Sequence, residues 1–174
     1  MGQYYQTVIC QENNYSLLDP HDFDSGLKLT EHSWMENPLV LTLCNLLYKM
    51  KSRVACIGDY ADECPLHSMV WGESNLEIPK VNVNKSLSFD YKGKFLVNYS
   101  KLLYLSFDEY IEKSTDNDWC LSPILILTSQ GNGQGGGDYF GVNEEVAGSW
   151  SWDLISIEDN YNPDYEKVDV YFKE

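Results

Sequence analysis

Gln3-Tyr4-Tyr5-Gln6-Thr7-Val8-Ile9-Cys10, then Gln11-Glu12-Asn13-Asn14, then Tyr15-Ser16-Leu17-Leu18, opens the chain. The first and third pieces are rich in aromatic and β-branched residues, which fit a pleated surface. The middle piece is turn chemistry. Together they predict a β-hairpin, closed by Asp19-Pro20. Further strands are expected at Arg53–Ile57, Leu87–Asp90, Lys94–Tyr99, Leu102–Ser106, Pro123–Thr128, Val146–Ile157 and Glu166–Phe172. Tyr91-Lys92-Gly93 and Ser100-Lys101 supply turns between three of them.

One helix stands out against these strands. Asn37-Pro38 offers a capping side chain and a proline where the missing amide costs nothing. Leu39, Leu43, Leu46 and Leu47 then share a face, so a helix near residues 38–50 is expected to cover the sheet. Phe107–Lys113 is expected to form one or two further helical turns. The class that follows is α+β, with a mostly antiparallel sheet built of hairpins and one main covering helix, in a single domain over residues 1–174.

The second informative stretch is Ser129-Gln130-Gly131-Asn132-Gly133-Gln134-Gly135-Gly136-Gly137-Asp138-Tyr139-Phe140-Gly141, which holds six of the twelve glycines. Clustered glycine raises the entropy lost on folding, so such a loop is either a flexible connector or a place of close backbone approach. Gly131-x-Gly133-x-x-Gly136 superficially matches a dinucleotide fingerprint. That motif needs a helix N-terminus for the pyrophosphate and a later acidic ribose partner, and neither follows here. No Gly-Lys-Ser/Thr follows either, which excludes a P-loop. A nest of backbone amides for a small anion is still open, with Gly131, Asn132, Gly133, Gly135, Gly136, Gly137, Asp138 and Tyr139 as its residues.

Asp59 and Asp62 lie in the turn Gly58-Asp59-Tyr60-Ala61-Asp62 after an apolar strand. With Asp138 and His32 they would make a metal or acid–base cluster if the fold joined them, against the simpler reading of solvated acidic turns. Cys56, Cys64 and His67 lack the paired short spacings of a zinc site. No metal and no cofactor are expected. Trp34, Trp150 and Trp152 are core or interface aromatics, and a strand through 149–157 would put Trp150 and Trp152 on one face.

Charge narrows the partners. Asp and Glu number 27 against 12 Lys and Arg, for a net charge of −15. That surface repels phosphate backbones, so nucleic acid is excluded, while a partner with a basic surface is favoured. The start of the chain lacks the basic and apolar regions of a signal peptide, and no run is long enough to span a membrane. Five scattered cysteines read as thiols in a reducing cytoplasm.

Four stretches taken together carry a resemblance. They are Met1-Gly2-Gln3-Tyr4-Tyr5; Gly26-Leu27-Lys28-Leu29 with Glu31-His32-Ser33-Trp34; Gly58-Asp59-Tyr60-Ala61-Asp62; and Gly131-Asn132-Gly133 through Gly135-Gly136-Gly137-Asp138-Tyr139 with Val146–Ser156. The set resembles a family of uncharacterised proteins encoded by bacteria and their phages. The resemblance implies a cytoplasmic setting and suits a mobile element, and it brings no activity or site residue with it. Two functions are therefore expected as alternatives. The first is an acidic binding protein that inhibits a protein partner. The second is a protein or enzyme that binds a nucleotide or phosphorylated metabolite through residues 131–141, with Asp59, Asp62, His32 and Trp34 nearby.

Overall fold

The computed structural model describes residues 2–72 and 77–174, so Met1 of the opening motif lies outside them. The hairpin forms as β1 (Tyr5–Gln11) and β2 (Asn14–Leu18), with Thr7 opposite Leu18 and Cys10 opposite Tyr15. Glu12 and Asn13 both take positive φ, 50° and 65°. That is the two-residue turn whose twist matches the strands it joins. β3 (Ser52–Gly58) pairs antiparallel with β1, and β7 (Leu154–Glu158) joins β3 to the second hairpin, β4 (Phe95–Asn98) and β5 (Leu103–Ser106).

Two short strands complete the sheet in parallel. β6 (Ser129–Gln130) lies beside the end of β3, and β8 (Glu166–Lys167) lies beside β5. The eight-stranded order is β2-β1-β3-β7-β4-β5-β8, with β6 on β3. The class is α+β, with a mixed, mostly antiparallel sheet.

Among the described residues five short α-helices decorate it: α1 (Leu29–His32), α2 (Pro38–Leu47), α3 (His67–Val70), α4 (Phe107–Ser114) and α5 (Pro123–Leu127). α2 begins as its sequence requires, with Asn37 Oδ1 accepting the Leu39 amide at 2.9 Å and Pro38 in the first turn. Its Leu39, Leu43 and Leu47 join Ile9, Val54, Leu96, Leu105 and Ile157 in the main core. Val8, Ala55 and Ile57 point the other way, into a smaller cluster with Ala61, Cys64 and Val70. β1 and β3 are thus buried on both faces, which is why their sequences run apolar without clean alternation.

Four expected strands are corrected. Pro123–Thr128 forms α5, with all five helical residues buried. A short apolar run does not distinguish a buried strand from a buried helix, and here Pro at the first position favours the helix. Val146–Ile157 yields a strand only from Leu154. Before it the chain turns through Glu144–Val146, Gly148 at φ 78° and Trp152 at φ 66°. Trp150 consequently enters the main core while Trp152 packs on the smaller cluster, so the two share no face. Leu87–Asp90 forms no strand: Phe89 instead packs edge-on against Tyr48 and Tyr91. The last expected strand, Glu166–Phe172, keeps its ladder only through Lys167 before Phe172 dives into the core.

Candidate functional site

The glycine loop is anchored at both ends of the chain. Gly2 bridges to Gly136, and the Gln3 amide donates to the Gly136 carbonyl at 2.8 Å. At the far end the Tyr139 hydroxyl donates to the Val142 carbonyl at 2.5 Å and receives the Lys173 amide at 3.0 Å. Asn132 holds the Tyr139 backbone by two hydrogen bonds, accepting its amide and donating to its carbonyl.

The amides of the loop do converge on an anion, and that anion is the protein's own. Asp138 Oδ2 accepts from the amides of Gly133, Gln134 and Gly135 at 2.6, 2.8 and 3.0 Å. Its other oxygen accepts the Tyr5 hydroxyl at 2.7 Å, and the carboxylate is buried. Burial, then the hydrogen bond to Asp138, pushes the Tyr5 phenol far up, so it stays a donor. An external phosphate would have to displace Asp138 from three charge-assisted bonds.

Close approach explains the loop's composition. A Cβ on Gly135 would lie 2.7 Å from Gln3 Cβ and 2.9 Å from the Gln3 amide nitrogen. Gly133 faces open space but holds φ 95°. Gly135→Val is expected to cost about 1–3 kcal/mol through overpacking, and a smaller loss is expected for Gly133→Ala. Urea midpoints of the two variants check the order. A Gly135→Val protein as stable as wild type would contradict the packing.

The other expected partners are distributed. Asp59 exchanges bonds with Tyr4, its amide donating to the Tyr4 carbonyl at 2.9 Å and its Oδ1 accepting the Tyr4 amide at 3.0 Å. The Gly58–Ala61 turn does touch the glycine loop, since Cβ atoms added at Gly131 and Gly135 would meet Ala61 and Tyr60. Asp62 is exposed. His32 is buried on α1, its Nδ1 3.0 Å from the Gly26 carbonyl, and the carboxylates that influence it are Glu31 and Asp19. Burial lowers its pKa to about 4. Among the described residues, no group of three or more His, Cys, Asp or Glu is arranged to hold a metal.

Trp34 leads to a different place. Its ring meets Trp119 edge-on, with centroids 4.6 Å apart. Trp119 is 59% exposed, more than any other large apolar side chain described. It projects from the turn Asp116-Asn117-Asp118-Trp119, where Asp116 and Trp119 exchange two backbone bonds of 2.8 Å. Asn117 and Asp118 take φ 46° and 68°, so the turn is tight and pre-set. Beneath it the chain segments are tied: Trp34 bridges Leu121, the Met35 amide donates to the Cys120 carbonyl at 2.9 Å, and Tyr110 and Tyr91 hydroxyls donate to Leu121 and Met35 carbonyls.

The two indoles and this platform enclose a groove of about 650 Å³, with Met35 and Cys120 in its lining. Glu31, Glu36 and Asp118 also line it, and no Lys or Arg does among the described residues. Burial raises the Cys120 thiol to about 11, so it is protonated near neutrality. Sequence reasoning found Trp34 but not Trp119. The available signal was Asn117-Asp118, two residues that tolerate positive φ, directly before an aromatic.

No protein-family model, curated protein or solved structure matches the chain. No helix among the described residues is long and apolar enough to cross a membrane.

Proposed function

We propose that this protein is an acidic binding protein that captures and neutralises a partner protein with a basic surface. The observation that carries the reading is Trp119, held exposed by a pre-set turn beside Trp34 and carboxylates. An exposed, rigid aromatic next to a second one is the composition of a binding hot spot, and it is costly to leave in water otherwise. The net charge of −15 supplies long-range attraction for a basic partner and speeds encounter. Five free thiols and the resemblance to phage and bacterial proteins support a cytoplasmic setting.

Affinity capture from a bacterial host lysate, at about 0.05 M and about 0.5 M salt, tests this. The expected result is one basic protein recovered at low salt, reduced at high salt, and reduced at least tenfold with Trp119→Ala. Recovery of nothing at low salt, or recovery indifferent to Trp119→Ala, would falsify the proposal.

A further inference from the structure

We infer that the groove between Trp34 and Trp119 takes an arginine side chain, carried on an extended segment of the basic partner. The inference rests on the binding function proposed above and specifies its anchor. Three features of the groove select that chemistry.

The first is charge without compensation. Glu31, Glu36 and Asp118 line the groove, and no Lys or Arg lines it among the described residues. Six lysines among the described residues are paired with carboxylates elsewhere, at Asp19, Asp22, Asp24, Asp153, Asp159, Asp169 and Glu109, whereas Glu36 and Asp118 form no ion pair among the described residues. Glu31 Oε2 accepts the Lys28 amide at 3.1 Å, which fixes its carboxylate without neutralising it. An incoming cation therefore meets unspent charge.

The second is the aromatic wall. Trp119 lies edge-on to Trp34 at an interplanar angle of 62°, and its own exposure leaves ring surface open to the groove. Tryptophan is the strongest aromatic partner for a cation. A guanidinium is planar and weakly hydrated, so it stacks on such a face while its edge donates to carboxylates. A lysine ammonium is more strongly hydrated and has no plane to stack.

The third is the supply of further acceptors and depth. Asn117 lines the groove and adds an amide oxygen, while the Asn37 side chain there is already engaged with the Leu39 amide and Ser25; Met35 and Cys120 add polarisable sulfur, Cys120 Sγ lying 3.4 Å from Met35 Sδ. The five guanidinium N–H groups have enough acceptors here, and the methylene stem has soft apolar surface to cover. On its other side Trp119 borders a smaller recess of about 200 Å³, where Lys173 stands among the carboxylates Asp116 and Glu174, whereas the larger groove has carboxylates and no cation in its described lining.

Isothermal titration of the full chain with three blocked octapeptides, alternating Gly with Arg, Lys or Glu, tests the anchor. The Arg peptide is expected to bind at low salt, at least ~5-fold tighter than the Lys peptide, because stacking and forked donation belong to the guanidinium. The Glu peptide is expected not to bind. Trp119→Ala and, separately, Glu36→Gln with Asp118→Asn should each weaken the Arg peptide about tenfold or more. Glu63→Gln with Asp164→Asn removes the same charge from exposed sites outside the groove and should leave the Arg-to-Lys ratio unchanged.

Equal affinity for Arg and Lys peptides, or an Arg affinity indifferent to both groove variants, overturns the inference. So does a dimer in sedimentation that Trp119→Ala dissolves, since a second copy would then occupy the groove. If a basic partner is captured from lysate through Trp119 while the Arg peptide fails, the arginine anchor falls and the binding function stands. If neither binds, both fall.

Discussion

Asp138→Ala is expected to destabilise the protein by about 3–5 kcal/mol, the range for removing a buried charge that satisfies several partners. The three amides of Gly133, Gln134 and Gly135, and the Tyr5 hydroxyl, would be left facing a methyl group. For a chain of this length that corresponds to a fall in Tm of roughly 6–20 °C. Asp138→Asn should cost less, about 1–3 kcal/mol, because its carboxamide oxygen can still face the amides without the charge. Hydrogen exchange adds a local readout: the amides at 133–135 should be protected in wild type and exposed in Asp138→Ala. An Asp138→Ala protein melting within a degree or two of wild type would show that the loop is held by something else.

The second large effect is acid sensitivity through His32. Its imidazole is buried, and desolvation lowers its pKa from 6.5 to about 4, only partly offset by bonding to the Gly26 carbonyl. The unfolded chain takes up this proton near 6.5, and the folded chain only near 4. Stability from the neutral ring is therefore fully present above pH 6.5 and is lost as pH falls through 6.5 toward 4. The loss amounts to about 3 kcal/mol at the lower end. His32→Gln should lose that part of the pH dependence while other carboxylate effects persist. Chemical denaturation of both proteins at pH 7 and pH 4 gives the comparison. Parallel stability curves for wild type and His32→Gln would contradict the assignment to His32.

Much of the sheet was legible because its signals are local. Glu12-Asn13 makes its own turn, Asn37-Pro38 caps its own helix, and Ser106 caps α4 by accepting the Glu109 amide. What failed depends on distant packing. Ile124–Leu127 is apolar enough for either element, and Pro123, which suits a first helical turn, is a weak signal that the surrounding core completes into α5. Trp152 adopts positive φ because its amide must reach the Val54 carbonyl, a contact nearly a hundred residues away in sequence.

The glycine loop was readable as a place of close approach, and its amides do surround an anion. Sequence could not show that the anion would be Asp138, because nothing in a glycine run says which carboxylate will fold back into it. Trp119 was hidden for the opposite reason. An exposed tryptophan has no periodic pattern, and its partner Trp34 lies 85 residues earlier.

The most direct test of where a partner binds is a nitrogen–proton correlation spectrum, which resolves the indole N–H signals of the five tryptophans as well as the loop amides. A blocked peptide containing both lysine and arginine is added at low salt. The expected result is movement of the Trp119 and Trp34 indole signals first, reversed by salt, while the amides of Gly131–Gly141 stay in place. Movement of the Gly131–Gly141 amides with both groove indoles silent would contradict the account and return the binding site to the loop.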